Sequence, residues 1–440
     1  MGSFRIERAS AIDLMELASA TTPAAGHVGA VLVLEPGDMD LRALRVALEE
    51  RIRGVPRLRQ CLRSTPLGCG RPIWVDHPSF DIARHVDEVV CPTPADRASM
   101  LKVAAGLVTR ELPRERPVWS ATLVTGLANG TSALVIVFHH VMADGMGGLA
   151  ALVNLVDGAP LHATPEFPHS EPNVTAIFAD AMRSRLRAIA RPGSMIKRMR
   201  AAASELGGRP PRAPRCSLNA PVGPHRCLAV AKTELGPIHA SARAHGVTVN
   251  DAVLAAITGA LRQFLADRAE TVDHFVISIP VSTRAETTAA ELGNQIGVMA
   301  VSLPGSGNPG ERMEAIGAAI RSRKQKARGA SASLLAPASR LLAATGTLRW
   351  FTDHQHRVNV FVTNLRGPDA KVQLLGQAVE DLVPINSTSG NVRVAFGVFS
   401  YDDALTVTVV ADASLCDELA ELTDDLQIEL DAVAATNRRR

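Results

Sequence analysis

Residues 137–148 read Val-Phe-His-His-Val-Met-Ala-Asp-Gly-Met-Gly-Gly and form the most informative string in the chain. His139 and His140 are adjacent, Asp144 and Gly145 follow after three residues, and Gly147 and Gly148 close the string. A histidine with an unperturbed pKa near ~6.5 suits the taking and returning of a proton at neutral pH. Glycines beside it let a substrate approach the backbone closely. Three readings are open. The pair can be two histidines of a core or a surface. It can belong to a metal site, for which either histidine with Asp144 supplies only part of the ligand set; His354 and His356 are the other histidines to invoke, and nothing in the sequence brings them near. It can hold a general base that acts without a protein nucleophile, since no Gly-x-Ser-x-Gly elbow stands nearby.

The elements that must position this string are legible around it. Ala133 to Phe138 is a short, continuous apolar run, as expected of a central buried strand, and Leu149 to Val156 reads as an apolar helix. Val28 to Glu35 reads as a strand, and Asp40 as the cap of a helix with Leu41, Leu44, Leu48 and Ile52 on one face. Met100 to Val108 predicts another helix, and Pro117 to Leu127 a strand with Trp119, Ala121 and Leu123 at period two. Residues 183–200 carry seven arginines and lysines in a helical stretch, followed at 207–214 by Gly-Gly-Arg-Pro-Pro-Arg-Ala-Pro, a breaker-rich segment that suggests a boundary. Beyond it, Thr248 with Asp251 spells a capping box for a helix to about Ala266. Asn308 to Glu311 starts another helix, and Ser414 with Asp417 a C-terminal one. Cys227–Thr233, Phe275–Ile279, Val358–Thr363, Val392–Phe399 and Leu405–Val410 read as strands. Two α/β halves follow: residues 1–200, a linker at 201–217, and residues 218–440.

Composition narrows the function. At 440 residues the chain is expected to form two or three domains, and 46% hydrophobic with 21% charged residues makes it globular. Aromatics are 3%, with Tyr401 the single tyrosine, which argues against a base-stacking RNA binder. A net charge of +3 excludes a chain that is basic throughout, while leaving room for a local basic patch; no nucleic-acid partner is expected. Six cysteines without a CxxC pair read as reduced thiols of a cytoplasmic protein. Arg5, Glu7, Arg8 and Asp13 precede any long apolar run, so no signal peptide is expected, and no uncharged apolar stretch reaches ~18 residues.

An ordered set of segments resembles one family. His139-His140-Val-Met-Ala-Asp144-Gly145 matches the HHxxxDG signature of CoA-dependent acyltransferases and nonribosomal peptide condensation domains. Pro117-Val-Trp119 is similar to a PLW motif, and Leu218-Asn-Ala-Pro-Val-Gly-Pro-His225-Arg226 to an LNGPIGPHR segment. Asn250-Asp251 is similar to an ND motif, and Pro280–Arg284, Leu292–Gln295 and Thr363–Pro368 to later ones. Together, over nearly the whole chain, they resemble the bacterial wax ester synthase/diacylglycerol acyltransferases. The resemblance implies mixed α/β sheets in two chloramphenicol-acetyltransferase-like halves, packed as a pseudo-dimer. A tunnel would run between them, with the histidines midway and separate mouths for CoA and acceptor.

The resemblance also implies roles. His140 would be the base that takes a proton from an acceptor hydroxyl as it attacks an acyl-CoA thioester. His139 is expected to be structural. Asp144, beside Gly145, would pair with an arginine, for which Arg284 is the candidate by motif position; an Asx turn also accounts for Asp144. Trp119 would line the acyl tunnel or belong to the core. Asn250 and Asp251 would meet substrate or cap their helix, and Asn294 would orient substrate or donate to an oxyanion. No metal or redox cofactor is implied, acyl-CoA being a substrate, and one chain with both halves can act as a monomer. The sequence departs from the family where a DxxFLxxE-like segment is expected: Asp13 is present, but Glu16 and Ala20 stand at the aromatic and glutamate positions. Ala25-Gly26 replaces Pro-Met before His27, and PLW has become PVW. These changes fall on the acceptor side. The activity that the resemblance implies is O-acyl transfer from a long-chain acyl-CoA to a lipid alcohol, giving triacylglycerol or wax ester. Acylation of or condensation with a specialised metabolite is an alternative, and a non-catalytic lipid-binding or droplet protein is another. The basic run from Arg183 to Arg215 is a solvated face, a contact for anionic lipid, or an attractor of CoA phosphates. Peripheral contact with a membrane or lipid droplet is thus one expectation.

Overall fold

The computed structural model describes residues 6–19, 26–142, 145–158, 167–190, 212–282, 296–326, 345 and 347–436. The expected linker falls outside them as far as residue 211, as do Asp144, Arg284 and Asn294.

The first half contains α1 (Ala11–Ser19), β1 (His27–Leu34), α2 (Leu41–Arg51), β2 (Gln60–Arg63), β3 (Ile73–Asp76), β4 (Val86–Val90) and α3 (Arg97–Thr109). It continues with β5 (Trp119–Thr125), β6 (Ser132–His139), α4 (Gly145–Leu155) and α5 (Val174–Ile189). The second half contains β7 (Arg226–Glu234), α6 (Leu235–Ala244), α7 (Val249–Ala266), β8 (His274–Ser282), β9 (Ile296–Pro304), α8 (Pro309–Lys326) and α9 (Thr347–Asp353). It ends with β10 (Val360–Arg366), β11 (Gln373–Leu374), β12 (Gln377–Ile385), β13 (Val394–Tyr401), β14 (Ala404–Asp412) and α10 (Leu419–Ala435).

Two six-stranded mixed sheets result, with β2 and β3 as a separate ribbon. The first sheet runs β11-β12-β1-β6-β5-β4 and the second β7-β14-β13-β10-β8-β9. The chain therefore leaves the second sheet after β10, adds β11 and β12 to the first sheet, and returns as β13 parallel to β10. The sequence reading placed no strand at Gln377–Ile385 and did not foresee this exchange. The run contains Glu380, Asp381 and Pro384, which hide its strand character. The two charges find partners: Glu380 pairs with Lys371 at 2.6 Å, and Asp381 with Arg97 of α3 at 2.8 Å and with Lys232 of β7 at 3.3 Å.

Alternation sorts the first sheet's side chains. Ala30, Leu32, Leu34, Leu134 and Ile136 join a core with Leu44 and Leu48 of α2 and Leu155 of α4. Val31, Val135 and Val137 face Met100, Leu101, Ala104 and Val108 of α3, together with Leu228, Ala395 and Val410 of the second sheet. The second half's own core surrounds α7, which is buried on nearly every side from Asp251 to Leu261.

Local signals account for the helix ends. Asp40 accepts from the Ala43 amide, and Thr248 and Asp251 form the reciprocal box at the start of α7. Asn308 and Glu311 do the same before α8. The C-terminal cap differs from the expectation. Asp412 accepts from the Ser414 amide and starts a 3-10 turn at Ala413–Glu418, and only then does α10 begin. Asp412 is free to do so because it closes β14 and already faces Arg226.

β1 lies between β12 and β6, so its backbone must fit tightly on both sides. A Cβ on Gly29 would sit 2.2 Å from the Ile136 carbonyl oxygen, an atom that cannot move without breaking the β1–β6 ladder. Gly29→Ala is expected to cost about 1–3 kcal/mol through overpacking. Gly106→Ala in α3, where a Cβ meets nothing within 4 Å, should gain up to about 1 kcal/mol from helix propensity. Thermal unfolding of the two variants checks this: equal midpoints would refute the tight-ladder account.

Candidate active site

His139 is the last residue of β6 and His140 the first beyond it. Strand alternation sends His139 to the same face as Val135 and Val137, toward α3. There it is buried and lies directly across the ladder from His27 of β1, with ring centroids 5.7 Å apart and the planes at 77°. The Val141 amide donates to His139 Nδ1 at 3.1 Å, so in the neutral ring the proton is on Nε2. His27 has the opposite tautomer: its Nδ1–H donates to the Val108 carbonyl of α3 at 2.9 Å. Burial, followed by the nearby His27, Arg114 and His140, pushes the His139 pKa down to about 3. Burial lowers that of His27 too, against the Val108 hydrogen bond. His139 is therefore a neutral, fixed ring at ordinary pH.

His140 is placed differently. It is half-buried in the turn after the strand, and its amide donates to the Gly26 carbonyl at 2.7 Å. The His139 amide donates to the Val118 carbonyl at 2.9 Å, so main-chain bonds from both sides hold the two-residue segment. α4 follows and packs close on the strand: a Cβ on Gly148 would stand 2.5 Å from the Phe138 ring. α4 also touches β10, and Leu365, Phe399 and Tyr401 of the second sheet join the same core. The helix after the histidines thus bridges to the second half.

That half holds an amide pair of its own. Asn364 of β10 donates from Nδ2 to Oδ1 of Asn250 at 3.2 Å, and both residues are half-buried. The contact joins two segments 114 residues apart. Asp251 is buried as the third residue of α7, and its carboxylate caps the Thr248 amide at 2.9 Å. Trp119 is buried opposite Phe138. Its indole N–H donates to the Leu58 carbonyl at 2.7 Å, and its ring stacks on His85, which stacks on Phe80. Packing accounts for all of these Trp119 contacts. Among the described residues, no group of three or more His, Cys, Asp or Glu side chains is placed to hold a metal ion.

Two family profiles cover most of this chain. The wax ester synthase/diacylglycerol acyltransferase catalytic domain matches residues 10–253, and the C-terminal domain of the same family matches residues 292–434. The chain belongs to this family. A probable diacylglycerol O-acyltransferase of Mycobacterium tuberculosis is 28% identical over 429 residues, covering 94% of this chain and 92% of that one. A second, putative one from the same species is 30% identical over 442 residues, covering 93% of each. Among solved structures, the wax ester synthase/diacylglycerol acyltransferase of Marinobacter aquaeolei VT8 superposes with a TM-score of 0.68 at 23% identity, covering 97% of this chain and 98% of that one. The starter condensation domain of rhizomide synthetase, in complex with C8-CoA, gives 0.64 at 15% identity over 98% and 96%. These likenesses establish the fold of two chloramphenicol-acetyltransferase-like halves.

Within this wax ester synthase/diacylglycerol acyltransferase frame the family-like segments have distinct tasks. In the segment from Leu218 to Arg226, Asn219 donates to the carbonyls of Val358, Asn359 and Asn391 and accepts from Asn359 Nδ2 at 2.7 Å. Arg226 is buried, donates to the Gly223, His225 and Thr388 carbonyls, and faces Asp412. That segment clamps the end of β14. Asp13, at the departed N-terminal motif, exchanges hydrogen bonds with Ser10 and caps α1. Three residues, His27 and His85 near the histidines and Asn364 in the second half, carry no motif signal of their own in the sequence. His27 was noticed only as the end of an altered motif, Asn364 only as part of one, and His85 not at all. Isolated histidines and asparagines carry no periodic signal; the strand register and the β10–α7 contact are what bring them in.

The buried rings fix a pH dependence. Besides His139 and His27, burial pushes the His85 pKa down to about 4, although its Nδ1–H donates to the Trp119 carbonyl. These histidines bind protons in the unfolded chain below pH ~6.5 but not in the folded one. Stability from this source is complete above that pH and falls as pH drops toward the folded values, at about 1.4 kcal/mol per pH unit for each ring. Thermal midpoints of the wild type should decline between neutral and mildly acid pH, and those of His85→Phe should decline less steeply. Parallel curves would show that His85 does not titrate between the two states.

Proposed function

We propose that this chain transfers an acyl group from acyl-CoA to the hydroxyl of a lipid alcohol, diacylglycerol or a fatty alcohol, with His140 as general base. The division between the two histidines carries this reading. His139 is buried with its basicity suppressed, whereas His140 is half-buried in a turn held by main-chain bonds. A base at the end of a packed strand has the fixed orientation that proton transfer requires. The names of the mycobacterial relatives and the C8-CoA bound by the condensation-domain neighbour support the donor and acceptor classes.

In the reaction, the hydroxyl oxygen attacks the thioester carbonyl carbon as His140 takes its proton. The tetrahedral intermediate collapses with cleavage of the C–S bond, and the imidazolium returns the proton to the CoA thiolate. An ester and free CoA leave. His139 acts on the chemistry only by position: its Nδ1 holds the Val141 amide and so shapes the turn carrying His140. Asp144 and Gly145 shape the loop, Asp144 paired with Arg284. Asn250, with Asn294, orients substrate from the second half's side, in a tunnel between the halves. Trp119 and Asp251 support that tunnel as core and cap. We assign no metal or redox cofactor, so chelators leave the rate unchanged. One chain supplies both halves, and a monomer suffices.

Among the described residues no helix is long and apolar enough to cross a membrane. Contact with a membrane or lipid droplet, in this reading, is peripheral and from the cytoplasmic side.

The test is turnover with palmitoyl-CoA and separate acceptors: dioleoylglycerol, hexadecanol, a short polar alcohol and an amine. Thiol release and product mass are followed together. His140→Ala should lower the rate by about 10²–10⁴. Ester formed with dioleoylglycerol or hexadecanol, and lost in the variant, is the expected result. Turnover unchanged in the variant would remove His140 from the chemistry, and preference for the amine would replace the lipid-alcohol reading.

A further inference from the structure

Helix α5 presents an apolar stripe that nothing in the catalytic reading uses. One side of the helix is seated: Ile177 and Ala181 are buried, Ile177 against Cys69, Ile73 and Val75. Arg8 clamps that side, donating to Asp180 at 2.8 Å, to the Ile177 carbonyl at 2.9 Å and to the Cys69 carbonyl at 2.8 Å. Beside the seated edge, Val174, Phe178, Met182 and Leu186 recur at every fourth position. Their exposures are 55, 46, 38 and 58%. Residues four apart share a helix face, so these form one stripe. The loop ahead of β3 extends it: a Cβ on Gly68 would lie 3.8 Å from the Phe178 ring, and neighbouring Leu67 is 104% exposed. A single exposed apolar residue needs no explanation, but a contiguous row on one clamped helix does.

The charges around the stripe identify what covers it. Asp180 is already engaged by Arg8. The other charged side chains of the helix, Arg183, Arg185 and Arg187, are all exposed. An apolar stripe with cations along it matches anionic headgroups over acyl chains. A second copy of the same face would set arginines against arginines.

We infer that α5, with Leu67, is the surface by which this protein lies on an anionic lipid bilayer, the stripe entering the acyl boundary and the three arginines meeting phosphates. This deepens the peripheral contact stated above and rests on the reading that the acceptor is a lipid. The helix is held to the body by Arg8 and the small core beneath it, so it would dock as a rigid face rather than fold on contact.

The experiment is co-sedimentation of the full chain with phosphatidylcholine vesicles with and without phosphatidylglycerol, in the absence of substrate. The wild type should pellet with the anionic vesicles and be released by salt. Phe178→Ser/Leu186→Ser should weaken partitioning at least about tenfold, and Arg183→Gln/Arg185→Gln/Arg187→Gln about 10²-fold. Ile428→Ser, which removes an equally exposed apolar residue from α10, should change nothing. Thermal midpoints and turnover of a short soluble alcohol report folding and the active site, and all three variants should keep the wild-type values. Binding and catalysis are thereby read apart: loss of turnover with lipid alcohols alone would strike the acceptor reading and leave the surface standing. Wild type that stays in the supernatant, or α5 variants that pellet as well as the wild type, would overturn the inference. So would a wild-type dimer in light scattering that the Phe178→Ser/Leu186→Ser variant breaks, since the stripe would then belong to a second copy.

Discussion

The pairing of β12 with β1 is the constraint on which the site depends. Six residue pairs, from Gly29–Ile385 to Leu34–Val379, join a strand of the second half to the first sheet. The opposite edge of β1 carries β6, which ends at His139. Without β12, β1 would be an edge strand with a row of unpaired amides and carbonyls and an apolar surface. With it, the histidines stand near the centre of a six-stranded sheet whose registry is fixed by backbone bonds. Because β12 lies between β10 and β13 in the chain, both its ends are tied to the second sheet. The relation between the histidine turn and the second half is therefore set by main chain and does not rely on a side-chain interface alone. Asp381 reinforces the junction by pairing with Arg97 from one half and Lys232 from the other. Its partners are partly exposed, so these pairs contribute modestly beside the strand ladder.

Burial around that strand end has an electrostatic consequence. Three imidazoles, His27, His85 and His139, are taken out of water near the strand that leads to His140. Each is kept neutral by desolvation, and each uses one ring nitrogen on a main-chain group: the Val108 carbonyl, the Trp119 carbonyl and the Val141 amide. Neutral rings are tolerable in a core, whereas charged ones are not, and His139 stays neutral although its buried Nε2–H has no hydrogen-bond partner among the described residues.

Much of this was legible in the sequence. The β6 run, the Asp40 cap and the Thr248–Asp251 box are local, and local physics writes them in a few residues. The alternation of helix and strand gave two halves, and the ordered segments gave the family. The exchange of β12 was not legible, because a strand's partner is chosen by the whole sheet and its own residues include charges and a proline. The histidine register was hidden for the same reason. That His139 faces inward depends on the parity of β6 within a sheet whose far side, β11 and β12, comes from residue 373 onward. The α5 stripe was half visible: the arginines stood out as a run, but the apolar residues between them emerged as a surface only once Ile177 and Ala181 had taken the buried side.

The family-like segments separate by how much hydrogen-bonding capacity the fold leaves them. Asn219 and Arg226 are consumed by a clamp on carbonyls, and Asp251 serves the first turn of α7. Trp119 has its one N–H on Leu58 and its ring stacked on His85, which Phe80 backs in turn. Asn250 and Asn364 differ. A side-chain amide has two donors and an acceptor with two lone pairs, and among the described residues a single bond between these two leaves most of that capacity open on half-buried residues. An amide so placed is oriented by its partner yet still able to bind something else. The second half thus offers polar groups held in position but not exhausted, on a strand, β10, that touches the helix leading from His140. A base supplied by one half and an amide pair by the other would need a fixed relation between the halves, and the shared strand is what provides it.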